Sequence, residues 1–242
     1  MNARASSRTL ILERIRVAAS VAAPVPYADL PRDYIRTGSL NRADCLRLLT
    51  ERLREYDAEV TECAPDAIPA AIADCIARSG HRRIAAPPGL PAEWLAPDAD
   101  LGAGAGAEWL IDHNLSVDAI ESCEGVVTAA TAAVADSGTI VLHHTAAEGR
   151  RLLTLLPDWH LCVLRASQVV ETLPEYFARC SGPPALVTPA LVTWISGPSA
   201  TADIEMTRIK GVHGPRFLHV LLVRDDDAAP RKAASNASQE PA

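Results

Sequence analysis

The chain has 242 residues, of which 48% are apolar, so it can bury one sizeable core but has little room for two full domains. Acidic residues outnumber basic ones by 30 to 23, and the resulting charge of −7 argues against a nucleic-acid-binding protein, because phosphate contacts need a basic surface. No run of 18 apolar residues occurs, so we expect no membrane-spanning helix.

The six cysteines are scattered, and no two form a C-x-x-C pair. The sequence therefore predicts no metal and no iron–sulfur cluster bound to this chain, and the cysteines are expected to be small buried hydrophobic residues. The N-terminus has several arginines but no long apolar segment, and Glu13 interrupts it. We therefore expect no signal peptide and a cytoplasmic protein.

Helices and strands alternate in the first part of the chain, as in proteins with parallel sheets. Apolar spacing and stop signals predict an amphipathic helix near residues 8–19, a helix over 41–56, a strand over 58–63, a helix over 68–79 and a strand over 83–86. Gly80 is expected to end the second of the two longer helices in a left-handed conformation. The pattern predicts an α/β fold.

The second part of the chain is richer in small and β-branched residues. The glycine–alanine run over 101–107 is predicted to be a loop rather than a nucleotide-binding motif, since no strand precedes it and its glycine spacing is wrong. Asp136-Ser137-Gly138 is expected to be the turn of a β-hairpin. Further predicted elements are strands over 160–164, 186–195 and 217–223 and a helix over 173–180.

These patterns predict three regions. Residues 1–39 are expected to form an N-terminal amphipathic helix and a loop, residues 40–224 an α/β domain, and residues 225–242 a disordered tail rich in Ala, Ser and Pro.

The segment over 195–215 is the strongest candidate for a binding site. Ser199 resembles an N-cap, so we predict a strand, the bend Ser196-Gly197-Pro198-Ser199 and then a helix ending at Gly211. The free N–H groups of such a helix, with the hydroxyls of Ser196, Ser199 and Thr201, would bind an anion at the carboxyl edge of the sheet. An ordinary capped helix without a ligand is the alternative.

Three side chains near this bend are candidates for catalysis. His213 lies in a rigid Gly-Val-His-Gly-Pro turn and could act as a general acid or base. An equally good alternative is that His213 forms a hydrogen bond to a carbonyl and thereby fixes the conformation of the loop. Asp203 and Glu205 suit a cation, a metal or hydrogen bonds to ligand hydroxyls. We expect the serine bend and the histidine turn to meet in one polar cavity.

A second polar cluster contributes candidate ligand-binding residues. They are Ser137, Gly138 and Thr139 at the hairpin, and Arg150, Arg151 and His160 further along the chain. An arginine can bind a carboxylate or phosphate through two parallel hydrogen bonds. The adjacent His143 and His144 would point to opposite faces of a strand, so we expect no joint metal site there.

Four motifs taken together resemble a known family. In order they are ADSGTIVL (135–142), R-x-L-L-T-L-L-P-x-x-H (150–160), ISGPSATADIE (195–205) and GVHGP (211–215). Their order and spacing resemble the lactate-utilisation protein C family, the LUD domain, over residues 110–223. Two departures stand out: Ala200 replaces a usual arginine, and Asp136-Ser137 replaces a usual Glu-Thr. Arg150 or Arg151 could supply the missing cation.

The resemblance implies both a fold and a function. The fold would be a three-layer α/β sandwich with a mostly parallel sheet, like that of the sugar-phosphate isomerase and CoA-transferase superfamily. The chain would be the cluster-free subunit of a complex that oxidises L-lactate to pyruvate, binding a small carboxylate or assembling its partners. Partner proteins would hold the iron–sulfur clusters, and this chain would hold no cofactor.

Two other functions remain open at this point. One is a freestanding enzyme of the isomerase or CoA-transferase type, acting on a sugar phosphate, an acyl-CoA or a folate. The other is a purely structural protein, which the density of polar loops argues against.

Overall fold

The computed structural model describes residues 6–20, 26–95, 107–181, 191–202, 208–211 and 213–225. The chain forms two compact units, Met1–Ile35 and Arg36–Ala242. In the first unit, helix α1 (Ser7–Ser20) confirms the helix predicted near residues 8–19, and a short 3₁₀ turn follows at Tyr27–Asp29. The boundaries predicted at residues 39 and 224 stay predictions.

The second unit contains the remaining helices and all the strands that the structure describes. The helices are α2 (Arg42–Glu55), α3 (Ile68–Ser79), α4 (Ala92–Leu95), α5 (Val117–Glu121) and α6 (Leu173–Ser181). The strands are β1 (Glu59–Cys63), β2 (Arg83–Ala86), β3 (Glu108–Ile111), β4 (Gly125–Ala129), β5 (Ala132–Val134), β6 (Thr139–Leu142), β7 (Trp159–Arg165), β8 (Val169–Val170), β9 (Thr193–Ile195), β10 (Ala200–Ala202), β11 (Arg208–Lys210) and β12 (Phe217–Val223).

The strands form two main sheets. Six parallel strands make the central sheet, in the order β1-β12-β7-β4-β2-β3. A smaller sheet has the order β8-β5-β6-β9, and its β6 is antiparallel to both neighbours. The hairpin between β5 and β6 confirms the predicted turn, with Gly138 at a φ of 60°. A third pair, β10 and β11, is antiparallel.

The core lies on both faces of the central sheet. One face packs against α3 and α4, where Ile72 and Trp94 contact strand residues such as Leu161. The opposite face packs against α2 and the smaller sheet, through residues that include Leu49 and Ile140. The result is a three-layer α/β sandwich with a mostly parallel central sheet, as the resemblance implied.

The long helices form for the reasons that the sequence indicates. Asn41 caps α2, its side chain accepting a hydrogen bond from the backbone N–H of Asp44 at 2.9 Å. Gly80 ends α3 with a φ of 75°. The predicted helices over 41–56, 68–79 and 173–180 and the predicted strands over 58–63, 83–86, 160–164 and 217–223 are therefore confirmed to within a residue or two.

One prediction about the candidate site is wrong. The segment after Ser199 is not a helix, because β10 and β11 pair as an antiparallel ladder with Thr201 opposite Ile209. The Ser199 hydroxyl resembled an N-cap, yet it accepts a hydrogen bond from the distant backbone N–H of His213 at 3.0 Å. An anion site on the N-terminus of a helix is therefore ruled out here.

Several predictions fall outside the described residues. They concern most of the glycine–alanine run, part of the strand over 186–195, the side chains of Asp203 and Glu205, and the tail after residue 225. Strand β3 was not predicted, because only four residues form it and they follow that glycine–alanine run. Within the described ranges, no helix combines the length and apolar character that crossing a membrane requires.

Candidate active site

A polar cavity of about 240 Å³ lies between the two sheets. Its walls come from β9 with the bend after it, from the turn before β12, and from the amino-terminal ends of β7 and β12. The predicted location at the carboxyl edge of the sheet is therefore wrong, because His160 and Leu218 are the second residues of β7 and β12 and face each other in register. The side chains that line the cavity include both hydrogen-bond donors and hydrogen-bond acceptors.

The two predicted bends meet in this cavity. The backbone N–H of Ser199 donates to the carbonyl of Pro215 at 2.8 Å, and the N–H of Gly211 donates to the carbonyl of Ser199 at 2.9 Å. The N–H of His213 bonds the Ser199 hydroxyl. These bonds fix the serine bend against the histidine turn, and the imidazole of His213 lies exposed at the cavity.

His160 is a buried wall of the cavity. Only 1% of the residue is exposed, and its Nε2 lies 2.8 Å from the Thr128 hydroxyl. Burial, together with the positive charge of Arg151, lowers the pKa of His160 to about 4. The imidazole is therefore neutral at pH 7, and it serves as a hydrogen-bonding group better than as a proton acceptor.

Arg151 brings a positive charge to the same cavity. Its Nη1 donates to the carbonyl and the hydroxyl of Thr154, at 2.9 and 3.0 Å, so the guanidinium is held by its own 3₁₀ turn. Burial lowers the pKa of Arg151, yet an arginine remains protonated at neutral pH. Among the described residues, no carboxylate lies within ion-pair distance of it.

Ala200 lines this cavity together with Arg151. Ala200 is the position where the resemblance led us to expect an arginine, and Arg151 lines the same cavity from a different element. Of the two arginines suggested as substitutes, Arg150 does not line it.

Arg150 forms a partly buried ion pair outside the cavity. Its Nε and Nη2 donate to the two oxygens of Asp112 at 2.7 and 2.9 Å, and it also donates to the carbonyl of Leu115. The pair fixes the chain immediately before Arg151. The structure therefore places Arg150 outside this cavity, in the lining of a separate cavity that also includes Asp112.

The hairpin residues lie next to the bend that lines the cavity. The Thr139 hydroxyl is 2.7 Å from the Ser196 hydroxyl and 2.8 Å from the hydroxyl of Ser137. Gly138 permits the turn through its positive φ, and a Cβ there would approach the Cβ of Arg52 to 2.7 Å. These three residues orient Ser196 and do not line the cavity.

The remaining predicted residues belong to the bend after β9 and to the segment that follows this bend. Ser196, Gly197 and Ser199 line the cavity. Thr201 lies in β10, but its side chain is outside the described part of the structure, as are Asp203 and Glu205.

Sequence reasoning missed two polar contributors. Thr128 faces His160 from the neighbouring strand β4, and Thr193 at the start of β9 lines the cavity. Thr128 lies in an apolar run, where an isolated threonine resembles an ordinary strand residue. Only the pairing of β4 with β7 shows that its hydroxyl reaches a histidine.

His143 and His144 form separate hydrogen bonds. His143 Nε2 is 2.6 Å from the Tyr176 hydroxyl, and His144 Nε2 is 2.8 Å from the hydroxyl of Thr193. Across the described ranges, no group of three or more His, Cys, Asp or Glu side chains is placed to hold a metal ion. The described residues that line the cavity thus offer hydrogen-bond donors and one guanidinium group, that of Arg151, and these groups suit a small organic anion.

The fold and the cavity together define an α/β domain with a small polar cavity between two sheets. The LUD domain model matches residues 46–223. Lactate utilization protein C of Deinococcus radiodurans is 38% identical over 185 residues, which are 76% of this chain and 82% of that protein. Lactate utilization protein C of Shouchella clausii is 31% identical over 117 residues, covering 47% of this chain and 50% of that protein.

A solved structure agrees with these sequence matches. The crystal structure of a DUF162 family protein from Deinococcus radiodurans superposes with a TM-score of 0.61 at 33% identity, covering 76% of this chain and 99% of that one. The chain belongs to the LUD domain family.

Proposed function

We propose that this protein acts in lactate utilisation, as the cluster-free subunit of a complex that oxidises L-lactate to pyruvate, and that its cavity binds the small carboxylate. The names of its relatives support the lactate-utilisation role. The observation that carries the binding role is the guanidinium of Arg151, which faces the cavity without a carboxylate partner among the described residues.

The cavity offers separate groups for the two ends of a 2-hydroxy acid. Arg151 would bind the carboxylate, since its planar fork matches two carboxylate oxygens. The hydroxyls of Ser196 and Ser199 and the neutral imidazole of His160 would hydrogen-bond the oxygen on the second carbon. A cavity of about 240 Å³ is below the usual range for drug-sized ligands, which favours a three-carbon acid over an acyl-CoA.

Oxidation of lactate to pyruvate removes two electrons and two protons. His160 is a poor base because its pKa is about 4, so His213 is the candidate to accept a proton. The two electrons would pass to iron–sulfur clusters in partner proteins and the second proton to solvent, and the scattered cysteines of this chain are consistent with that division. Docking to such partners is part of the proposal.

The freestanding isomerase or CoA-transferase loses one of its two supports. That hypothesis rested on the fold and on a helix N-terminus rich in serine and threonine, and the segment is a strand instead. It remains as an outcome of the test.

The test compares ligands and variants on the whole chain. Thermal stabilisation by L-lactate or pyruvate is expected, and it should fall sharply in Arg151→Gln while surviving in Arg47→Gln, whose exposed side chain lies on α2. Stabilisation by CoA or a sugar phosphate alone would overturn the proposal in favour of the freestanding enzyme.

A second experiment tests the complex. Deleting the gene should abolish growth on L-lactate, the wild-type gene should restore it, and the chain should co-purify with cluster-bearing proteins. Normal growth of the deletion strain on lactate, together with no such association, would contradict the assignment.

A further inference from the structure

A second cavity, of about 390 Å³, lies at the start of α2. It is bounded by α2, β8 and α6 and by the segment around Gly38, and none of its lining residues belongs to the cavity of Arg151. Three arginines line it: Arg36, Arg42 and Arg179. Nothing in the proposed function uses this cavity.

Two of these guanidinium groups converge on one backbone oxygen. Arg42 Nη1 donates to the carbonyl of Val169 at 2.9 Å, and Arg179 Nη2 donates to the same carbonyl at 3.4 Å. Arg179 is also fixed by the carbonyl of Ser167 at 3.3 Å. Two like charges are thus held side by side, an arrangement that an anion between them would stabilise.

Glu175 lies near enough to Arg179 for their opposite charges to attract each other, but the two side chains do not form an ion pair. Among the described residues, neither Arg42 nor Arg179 has a carboxylate oxygen within ion-pair distance. Arg42 Nη2 is buried and has no hydrogen-bond partner, which is costly for a guanidinium nitrogen. Each arginine has five N–H donors, so Arg42 and Arg179 still have N–H donors that the carbonyl contacts do not use.

Two glutamates also line the cavity, but they are committed to the backbone. Glu175 accepts hydrogen bonds from the N–H groups of Gly38, Glu171 and Thr172, at 2.9 to 3.0 Å. Glu171 accepts one from the N–H of Leu40 at 2.6 Å. They fasten the segment before α2 to the start of α6.

The charges of the lining limit the type of anion. Glu171 and Glu175 in the same lining disfavour a doubly charged phosphate, so a singly charged group suits Arg42 and Arg179 better. We propose that this cavity binds a carboxylate across the guanidinium groups of Arg42 and Arg179. The carboxylate would come from a free small acid or from an acidic side chain of a partner protein.

The Nε–H signals of the arginines provide a direct test by ¹⁵N NMR of the full chain. Arg42→Gln, Arg179→Gln and Arg151→Gln assign the signals, and sodium acetate, an acidic hexapeptide and inorganic phosphate are titrated at constant ionic strength. Acetate or the peptide should shift the Arg42 and Arg179 signals together and saturably. Removing Arg179 should weaken that binding roughly tenfold, since a charge-assisted hydrogen bond is lost.

Controls separate this site from surface charge and from the first cavity. Arg47→Gln removes an exposed arginine from the same helix and should leave the titration unchanged. Arg179→Gln is the key variant, because Arg42 also anchors the start of α2. A shift with acetate supports a free acid, and a shift with the peptide alone supports a partner side chain.

Three results would overturn the proposal. They are the absence of any saturable shift, an equal shift with chloride, and tighter binding of phosphate than of either carboxylate. The signal of Arg151 reports the first cavity independently, so a failure to bind at one site does not count against binding at the other.

Discussion

The ion pair between Asp112 and Arg150 should be a measurable source of stability. Replacing Asp112 by Asn keeps the size of the side chain and an oxygen for the N–H of Leu115, but it places an amide against the guanidinium. The carboxylate is 3% exposed and the arginine 37% exposed. Breaking a fully buried pair costs roughly 3–5 kcal/mol, whereas a charge-assisted hydrogen bond contributes roughly 1.5–3 kcal/mol.

Because water still reaches Arg150, we expect the lower range, about 2 kcal/mol in the free energy of unfolding. For a domain of this size that loss lowers Tm by roughly 4–8 °C. Urea denaturation of Asp112→Asn, Arg150→Gln and the double variant gives the coupling energy, and Arg47→Gln is the control for an exposed pair. A coupling energy near zero would refute the reasoning.

The pH dependence of the free energy of unfolding provides a second test of this ion pair. Burial alone would raise the pKa of Asp112, but the hydrogen bonds from Arg150 and from the N–H of Leu115 outweigh it and lower the pKa below 3.8. A lowered pKa in the folded state means that the stabilisation is complete above the unfolded-state pKa and is lost as the pH falls through the folded value. The wild type and Asp112→Asn should therefore differ at pH 7 and converge in acid, as the pH falls below the lowered pKa of Asp112.

Three further predictions concern residues that lie near the site without lining it. Thr128→Val should cost roughly 1–3 kcal/mol in urea denaturation, because the buried Nε2 of His160 loses its partner; an unchanged midpoint would contradict this. Burial raises the pKa of Cys162 to about 12, so mass spectrometry should find this thiol unmodified by iodoacetamide in the folded state, while the partly exposed Cys180 reacts. Gly138→Ala should cost about 1–2 kcal/mol, because its φ is 60° and α2 lies against it; a neutral effect would argue against the turn.

The framework of the fold was predictable because its elements are strongly patterned. β12 and β7 are continuous apolar runs, as expected of parallel strands buried on both faces. The helix over Ile68–Ser79 has a regular apolar stripe and a terminal glycine. Short strands with few residues, such as β3, leave no comparable pattern, since four residues are too few to show a period.

The site was predictable only in part, because its contacts depend on which distant segments meet. The polar bend at Ser199 was recognisable, but its hydrogen-bond partner is His213, and a local capping rule cannot show a contact across 14 residues. The sequence alone gives no reason to assign different roles to the adjacent Arg150 and Arg151. Their roles separate only because Asp112, which follows a strand that was not predicted, binds one of them.

The location of the cavity explains the composition of its walls. Ligand sites of open parallel sheets normally use the loops after the carboxyl ends of the strands, where helix N-termini supply N–H donors. Here the cavity lies at the amino-terminal ends of β7 and β12, where such donors are not supplied. Its polar groups must come from side chains and from a second layer, and they do: Arg151 from a 3₁₀ turn and Ser196 from the bend after β9. Binding here should therefore depend on individual side chains, so a single substitution at Arg151 should have a large effect.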